Sequence, residues 1–277
     1  MTAIALAIGA SLAWGASDFL AGTQSRLLPV LTVLLLSQVF ALAIALPVAV
    51  AFGGPLPGAE AAAWALGAGM AEVAGFAALY RGLATGAMSV IAPLSATAGI
   101  VPLLVGLASG ERLGAVQWLG VALALAGVAL AVTEAGRRPR VAEGCGLALL
   151  AALGFGLYFV GMDHAADGGA LWAAVLNRWA SLGVLAAVAC SLRRSPSAPP
   201  GSLTAIVLVG TLDIAANALF ATALTHGLAG VVSVLGSLYP VTTLLLAQVL
   251  LHERLARLQG LGVGSALAGV ALLSLAA

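Results

Sequence analysis

Four ionisable side chains stand inside long apolar stretches, where a charge is costly and is retained for a partner, a cavity or a proton. Glu72 lies in GAGMAEVAGF, Arg178 in LNRWAS, Asp213 in VGTLDIAAN and Asp18 in WGASDFL. A carboxylate so placed can load and release a proton during a transport cycle, which makes Glu72 and Asp213 candidate coupling groups. The structural alternative is that each serves as a partner for the arginine. Arg178 offers a two-pronged contact to a substrate carboxylate, or it neutralises one of the acids. Asp18 shares a helical face with Ser11, Trp14 and Gly15, yet stands close enough to the end of its apolar run to reach water. Asn217, one turn beyond Asp213, either completes the site or links two helices. Two acids and one arginine suit a zwitterion, and equally a proton-exchanged organic cation; the residues alone do not choose.

Further candidates surround these four. Trp14, Tyr158, Asn177 and Tyr239 are possible cavity lining for a planar or amino-acid-sized ligand, or ordinary packing groups. Pro93 and Pro240 fall inside equivalent apolar runs, where a proline frees a backbone carbonyl and kinks or breaks the helix. Such breaks line substrate sites in many carriers. Glu111 and Glu253 stand at run ends beside arginines and read as structural or gating pairs.

The elements that must position these groups follow from composition. Of 277 residues, 62% are hydrophobic and 8% charged, with a mean hydropathy of +1.14. A soluble domain carries about a quarter charged residues, so this chain must face lipid. A net charge of +1 gives no reason to expect a nucleic-acid partner. All eleven basic residues are arginine, which with 35 glycines suggests a GC-rich bacterial genome. The two cysteines, Cys145 and Cys190, are too few for a disulfide framework and read as buried, inert thiols. The N-terminus is apolar at once, without a basic n-region, and reads as a retained first span.

A membrane helix takes about 20 mostly apolar residues. Runs of that kind fall near 3–21, 30–52, 61–79, 86–108, 115–133, 144–162, 170–191, 203–225, 230–251 and 258–276. The expected class is therefore an all-α integral membrane protein of ten transmembrane helices. The longest breaks, GGPLPGAE at 53–60 and RRSPSAPPG at 193–201, have the proline and glycine content of turns.

The chain also repeats itself. ALAGVAL occurs at 124–130 and again at 266–272, and Glu-Arg-Leu precedes each copy, at 111–113 and 253–255. Gly120 and Gly262 keep the same offset of 142, and RGLA at 81–84 is matched by HGLA at 226–229. Charged pairs and glycines repeating in one order indicate a duplication, with halves at 1–135 and 144–277. Each half holds five spans. Because five is odd, the second half starts from the opposite side of the membrane, which predicts inverted repeats and a central site reached by alternating access. The loops after spans 1, 3, 5, 7 and 9 carry Arg26, Arg81, Arg137, Arg138, Arg140, Arg193, Arg194, Arg254 and Arg257, while the other loops carry Arg112 alone. The positive-inside tendency places the first set in the cytoplasm and both termini outside.

The stretches at 91–130 and 232–272 resemble the signature of the EamA-type carriers of the drug/metabolite transporter superfamily. Each has a proline-bearing fourth span, a Glu at its end, and a glycine-rich fifth span closing on Gly-Val-x-Leu. The resemblance covers both halves. It implies a ten-helix secondary carrier, commonly an exporter of amino acids or other small metabolites, in the bacterial cytoplasmic membrane. Two features depart from that pattern. His252 stands where such sequences often have glycine, and the family's termini are usually cytoplasmic, opposite to the arginine count.

The partners so implied are a small-molecule substrate and the lipid bilayer, with no cofactor beyond a proton gradient. No phosphate-binding Gly-x-x-x-x-Gly-Lys-Ser/Thr loop and no His-Glu-x-x-His pair occurs in the sequence. His164, His226 and His252 stand at span ends, far apart. An integral-membrane enzyme would want a His, Asp or Cys cluster at one interface, and a non-transporting scaffold would have no use for the duplication.

Overall fold

The computed structural model describes residues 2–25, 27–85, 96–131, 145–250 and 257–275. Every regular element among them is helical: α1 (Thr2–Ser25), α2 (Val30–Phe52), α3 (Ala59–Thr85), α4 (Ile100–Ala108, entered through a 3-10 turn at Ala96–Gly99), α5 (Ala115–Ala131), α6 (Cys145–Ala166), α7 (Ala170–Ser191), α8 (Pro200–Leu224), α9 (Ala229–Gly236), α10 (Tyr239–Leu250) and α11 (Arg257–Leu275).

Among the described residues six helices are long and apolar enough to cross a bilayer: Thr2–Ser25, Val30–Phe52, Ala59–Ala78, Leu149–Ala166, Ala170–Ser191 and Pro200–Leu224. Shorter apolar helices, Thr97–Ala108, Ala115–Gly127, Ala229–Thr243 and Gly260–Gly269, fall within the other four apolar runs and are each shorter than a bilayer-crossing helix. The expected span at 230–251 is divided in two. Pro240 has no N–H to return to the Gly236 carbonyl, so α9 stops at Gly236. Bridging bonds from Leu238 N to Leu235 O (3.2 Å) and Val241 N to Leu238 O (2.9 Å) carry the chain into α10. Pro93, the matching candidate in the first half, lies outside the described residues, as does Glu253.

Helix ends follow local chemistry. α8 begins on a proline, whose missing N–H costs nothing in a first turn. The tight turn between α6 and α7 rests on Gly169 at φ 111°, a conformation that L side chains disfavour. Large apolar side chains such as Leu12, Val50, Phe52, Leu149, Leu208, Leu261 and Leu267 face outward, as a lipid-facing surface requires. Cys190, expected to be buried, is exposed as a free thiol in the last turn of α7.

Small residues set the packing, because helices in lipid associate through close backbone approach. α3 lies along α6 and α7, α1 along α8, α2 along α7 and α8, and α4 against α9. α5 and α11 form a further close pair, and the repeated ALAGVAL phrase is their contact. A Cβ placed on Gly127 would lie 2.7 Å from the Gly262 carbonyl oxygen, and one on Gly269 would lie 2.6 Å from the Gly120 carbonyl oxygen. Ser265 Oγ donates to Leu123 O at 2.9 Å across the same seam. Residues 142 positions apart thus exchange roles across the contact.

Candidate functional site

The apolar helices leave Arg178 in a demanding position. It is the largest side chain in the fully buried set, near the middle of α7, and a guanidinium stays charged even there. Three acceptors from three other helices answer it. Nη1 donates to Gln38 Oε1 of α2 at 2.6 Å and to Asp213 Oδ2 of α8 at 2.7 Å. Nη2 donates to Glu72 Oε1 of α3 at 2.9 Å. The planar fork of arginine suits such a convergence, since each terminal nitrogen keeps a fixed direction.

Glu72 is closed on both oxygens. Its Oε2 lies 3.0 Å from Ser181 Oγ, whose one proton is shared with the Gly69 carbonyl at 3.2 Å. Ser181 stands one turn below Arg178, so α7 grips α3 at two points. Asp213 differs. Its side chain is paired to Arg178 yet remains 16% exposed, against 5% for Glu72. The helix α1, which carries Trp14, packs along α8, which carries Asp213.

Asn217 extends the cluster toward α6. Its Nδ2 donates to the Asp213 backbone carbonyl at 2.8 Å, and its Oδ1 accepts the hydroxyl of Tyr158. Tyr158 belongs to a buried aromatic group with Trp14, Phe159 and Phe220. Trp14 lies edge-on to Tyr158 with centroids 6.1 Å apart and 5.3 Å from Phe220. Tyr158 and Phe220 stack at 6.2 Å. The arrangement is an aromatic wall beside a charged knot.

Asp18 completes the set. α1 continues to Ser25 rather than ending near 21, so Asp18 sits two turns inside the helix, about 10 Å from its end. It is half-buried and within electrostatic reach of Asp213 and Glu72. Among the described residues no hydrogen bond or ion pair is made to its carboxylate.

The structure therefore gathers Glu72, Arg178, Asp213, Asp18, Asn217, Trp14 and Tyr158 into one region. Gln38 and Ser181 join them and were not among the residues singled out from sequence. Gln38 is a lone amide in the apolar run LLLSQVF, which is a usable signal for a buried charge nearby. Asn177 is fully buried on α7, and neither atom of its amide has a hydrogen-bond partner. Tyr239 opens α10 and Pro240 follows it.

Glu111 stands apart from the cluster. The turn after α4 is closed by Glu111 N to Gly106 O at 2.9 Å and Gly110 N to Leu107 O at 3.2 Å, with Gly110 at φ 99°. That turn aims the Glu111 carboxylate at the start of α9, where Oε1 accepts the Ala229 N–H at 3.1 Å. Its partner is thus a helix N-terminus rather than an arginine. Gly230 leaves room beside it, since a Cβ there would come within 3.3 Å of Glu111 Oε2. Glu253, its counterpart by sequence, is among the residues not described.

The EamA-like transporter family matches the chain twice, over residues 1–133 and 142–275. A solved structure described only as a crystal structure of a protein is similar with a TM-score of 0.81 and 19% sequence identity, covering 99% of this chain and 96% of that one. That likeness concerns the fold. No curated protein matches the chain.

Proposed function

The chain belongs to the EamA-like transporter family, membrane transporters of the drug/metabolite type, and from that premise we propose that it is a secondary carrier exporting a small metabolite by alternating access. The observation that carries this reading is the position of the charged knot. Glu72 and Gln38 come from the first half, Arg178 and Asp213 from the second, and all four meet in the interior of helices whose outer faces are apolar. A carrier has its site where its halves meet, near the bilayer midplane.

Two further features support the inverted-repeat part of the proposal. The family matches each half separately. The packing pairs are also equivalent under exchange of halves: α3 on α6 corresponds to α8 on α1, and α3 on α7 to α8 on α2. α5 and α11 exchange roles through Gly127 and Gly269. Ten spans in two inverted sets of five then give one central site that opens to either side. With the arginine-rich loops in the cytoplasm, both termini lie outside a bacterial cytoplasmic membrane. No loop holds a nucleotide-binding motif, so an ion or substrate gradient supplies the drive, and protons are the natural choice beside three carboxylates.

The test is selective leakage. Proteoliposomes loaded with amino acids, other small metabolites and organic cations are followed by mass spectrometry beside protein-free vesicles. Selective loss of one chemical class is the expected result. If folded, inserted protein releases nothing under any imposed gradient, the carrier reading fails and a membrane scaffold takes its place.

A further inference from the structure

We propose, resting on the carrier reading above, that α9 is a gate over the central site, hinged at Ser237–Leu238 and latched shut by the Glu111 carboxylate. The structure holds that gate closed on the face where α1 begins and α2, α4, α6 and α8 end.

The two halves, residues 1–133 and 142–275, meet repeatedly on that face. Glu111 of the first half accepts the Ala229 N–H of the second at 3.1 Å. Trp172 Nε1 donates from the second half to Gly54 O of the first at 3.3 Å. Trp64 stacks on His164 with ring centroids 4.5 Å apart. A Cβ on Gly227 would stand 2.7 Å from Ala3 Cβ, and one on Gly168 would stand 2.9 Å from Pro57 Cβ. Each of these contacts must part if the halves separate there. Alternating access requires such a separation, because one site serves two sides only when closing contacts form and break in turn.

The Glu111 contact is the one with the chemistry of a latch. The first N–H groups of a helix have no partner inside it, and α9 has no side-chain cap from Leu228, the residue before it. Glu111 supplies the missing acceptor from 118 positions away, and its charge suits the positive end of a helix dipole. A charge-assisted bond is strong where water is excluded. When the face opens, water replaces it at both groups. The bond therefore favours the closed state without making the open one prohibitive.

α9 is built to move as one arm. Its eight residues, Ala229–Gly236, are all buried, and the break ahead of Pro240 separates it from α10. A few residues at such an element end can absorb the change in backbone angles that a swing demands. Glycines let the arm lie flat at both ends. A Cβ on Gly230 would stand 3.2 Å from Leu103 Cα of α4, and one on Gly236 would stand 3.0 Å from Phe220 Cε2 and 3.4 Å from Trp14 Cζ3. One end of the arm is thus held by Glu111, and the other rests on the aromatic wall of the central site. A ligand that shifts Trp14 or Phe220 pushes directly on the base of the gate.

The closed state is also incompletely satisfied. Glu111 Oε2 and Ser233 Oγ are buried and have no hydrogen-bond partner among the described residues, and Ser233 has no exposed surface. Buried polar atoms left unpaired raise the free energy of the state that contains them. One of these atoms is on the latch and the other on the arm, and both meet water when the gate opens. They offset part of the latch bond, so the gate is poised to open.

A cross-link tests the arm and a labelling experiment tests the latch. With Cys145 and Cys190 replaced by serine, Leu103→Cys and Gly230→Cys set two thiols across the α4–α9 contact, close enough to bridge. The first substitution also removes Leu103 Cδ1, which would otherwise lie 3.0 Å from the new Cβ. Oxidation is expected to cut release of the loaded amino-acid, metabolite and organic-cation mixture at least tenfold, and reduction to restore it. Undiminished release with the bridge formed overturns the gate and leaves the carrier standing. For the latch, Ser11→Cys places a thiol at a buried position between Trp14 and the closed face. A membrane-impermeant maleimide applied from that face should barely label it, and Glu111→Ala should raise the labelling at least tenfold. Leu12→Cys, on the exposed side of the same turn, serves as the lipid-facing control and should stay unlabelled in both backgrounds. Equal gains at the two positions would make Glu111 a support of the whole fold, and no gain at Ser11→Cys would make it a simple helix cap. Either result overturns the latch. Labelling needs no transported substrate, so a silent leakage panel, which sinks the carrier reading, cannot be mistaken for failure of the gate.

Discussion

Glu72 and Asp18 are both carboxylates set within membrane-length helices, and they differ in every other respect. Glu72 is buried and has a partner on each oxygen. Asp18 is half-buried and has no hydrogen-bond partner among the described residues. A carboxylate whose lone pairs are filled by fixed donors holds helices together. One left open must find its counter-charge elsewhere, in a proton or a ligand. Chemistry alone ranks the two equally. The number of donors around each assigns one to the scaffold and the other to exchange.

The largest effect should come from removing the pivot of the filled side. Arg178→Ala leaves Glu72 and Asp213 as facing acids without their cation, and truncating one member of a buried pair costs about 3–5 kcal/mol. Loss of folded protein is expected, read as yield and monodispersity in detergent. Adding Glu72→Gln and Asp213→Asn should recover part of it, because the stranded charges are then gone. Arg178→Lys should fall between, since a single ammonium lacks the fork that reaches three acceptors. An Arg178→Ala protein as stable as the wild type would erase the distinction between the two sides.

The next pair of variants sets the two acids against each other. Glu72→Gln gives up a charge-assisted bond, for which about 1.5–3 kcal/mol is typical, and should lower the melting temperature. Asp18→Asn removes a like charge from an acidic neighbourhood and should leave the melting temperature unchanged or raise it. The loss at Asp18 appears in the pH profile: wild-type transport should vary with pH, and the variant's should be flat. Equal thermal losses for the two variants would break the comparison.

Much of this was legible before any coordinates. Ten apolar runs, the 142-residue echo and the four intramembrane charges follow from residue types and spacing. The partners did not, because they are matters of three-dimensional convergence. Arg178 meets residues 140, 106 and 35 positions away, and no local pattern distinguishes Glu72 as the locked acid from Asp18 as the open one. Gln38 and Ser181 are neutral and look like tolerated polar residues in a span. The depth of Asp18 turned on where α1 ends, and four more residues of helix carry it a turn further in. The role of Glu111 depended on a turn aimed at a helix 118 positions later.

That turn supplies a smaller prediction on ground remote from both acids. Glu111→Gln keeps a hydrogen-bond acceptor for the Ala229 N–H and loses the charge at the N-terminus of α9. Such a charge contributes about 0.3–1 kcal/mol. Thermal unfolding should register a loss of that size, and the flat pH profile expected of Asp18→Asn should not appear. A flat profile in this variant would make the pH response a property of the whole fold and dissolve the special standing of Asp18.

Tyr158 lies on the boundary between the two sides and gives the finest test. Its hydroxyl is bonded to Asn217, which is tied to the backbone of Asp213, while its ring belongs to the wall around Trp14. Tyr158→Phe removes the bond and keeps the ring. Hydrogen bonds between membrane helices contribute about 0.6 kcal/mol on average and rarely more than about 1.7, so the melting temperature should move by little. If the hydroxyl matters mainly by holding Asn217 and Asp213 in place, the half-saturating substrate concentration will rise further than that small stability loss predicts. If instead Tyr158 belongs with Arg178 and Glu72, the change will be thermal alone, and the boundary between the filled and the open side will have to be drawn nearer to α1.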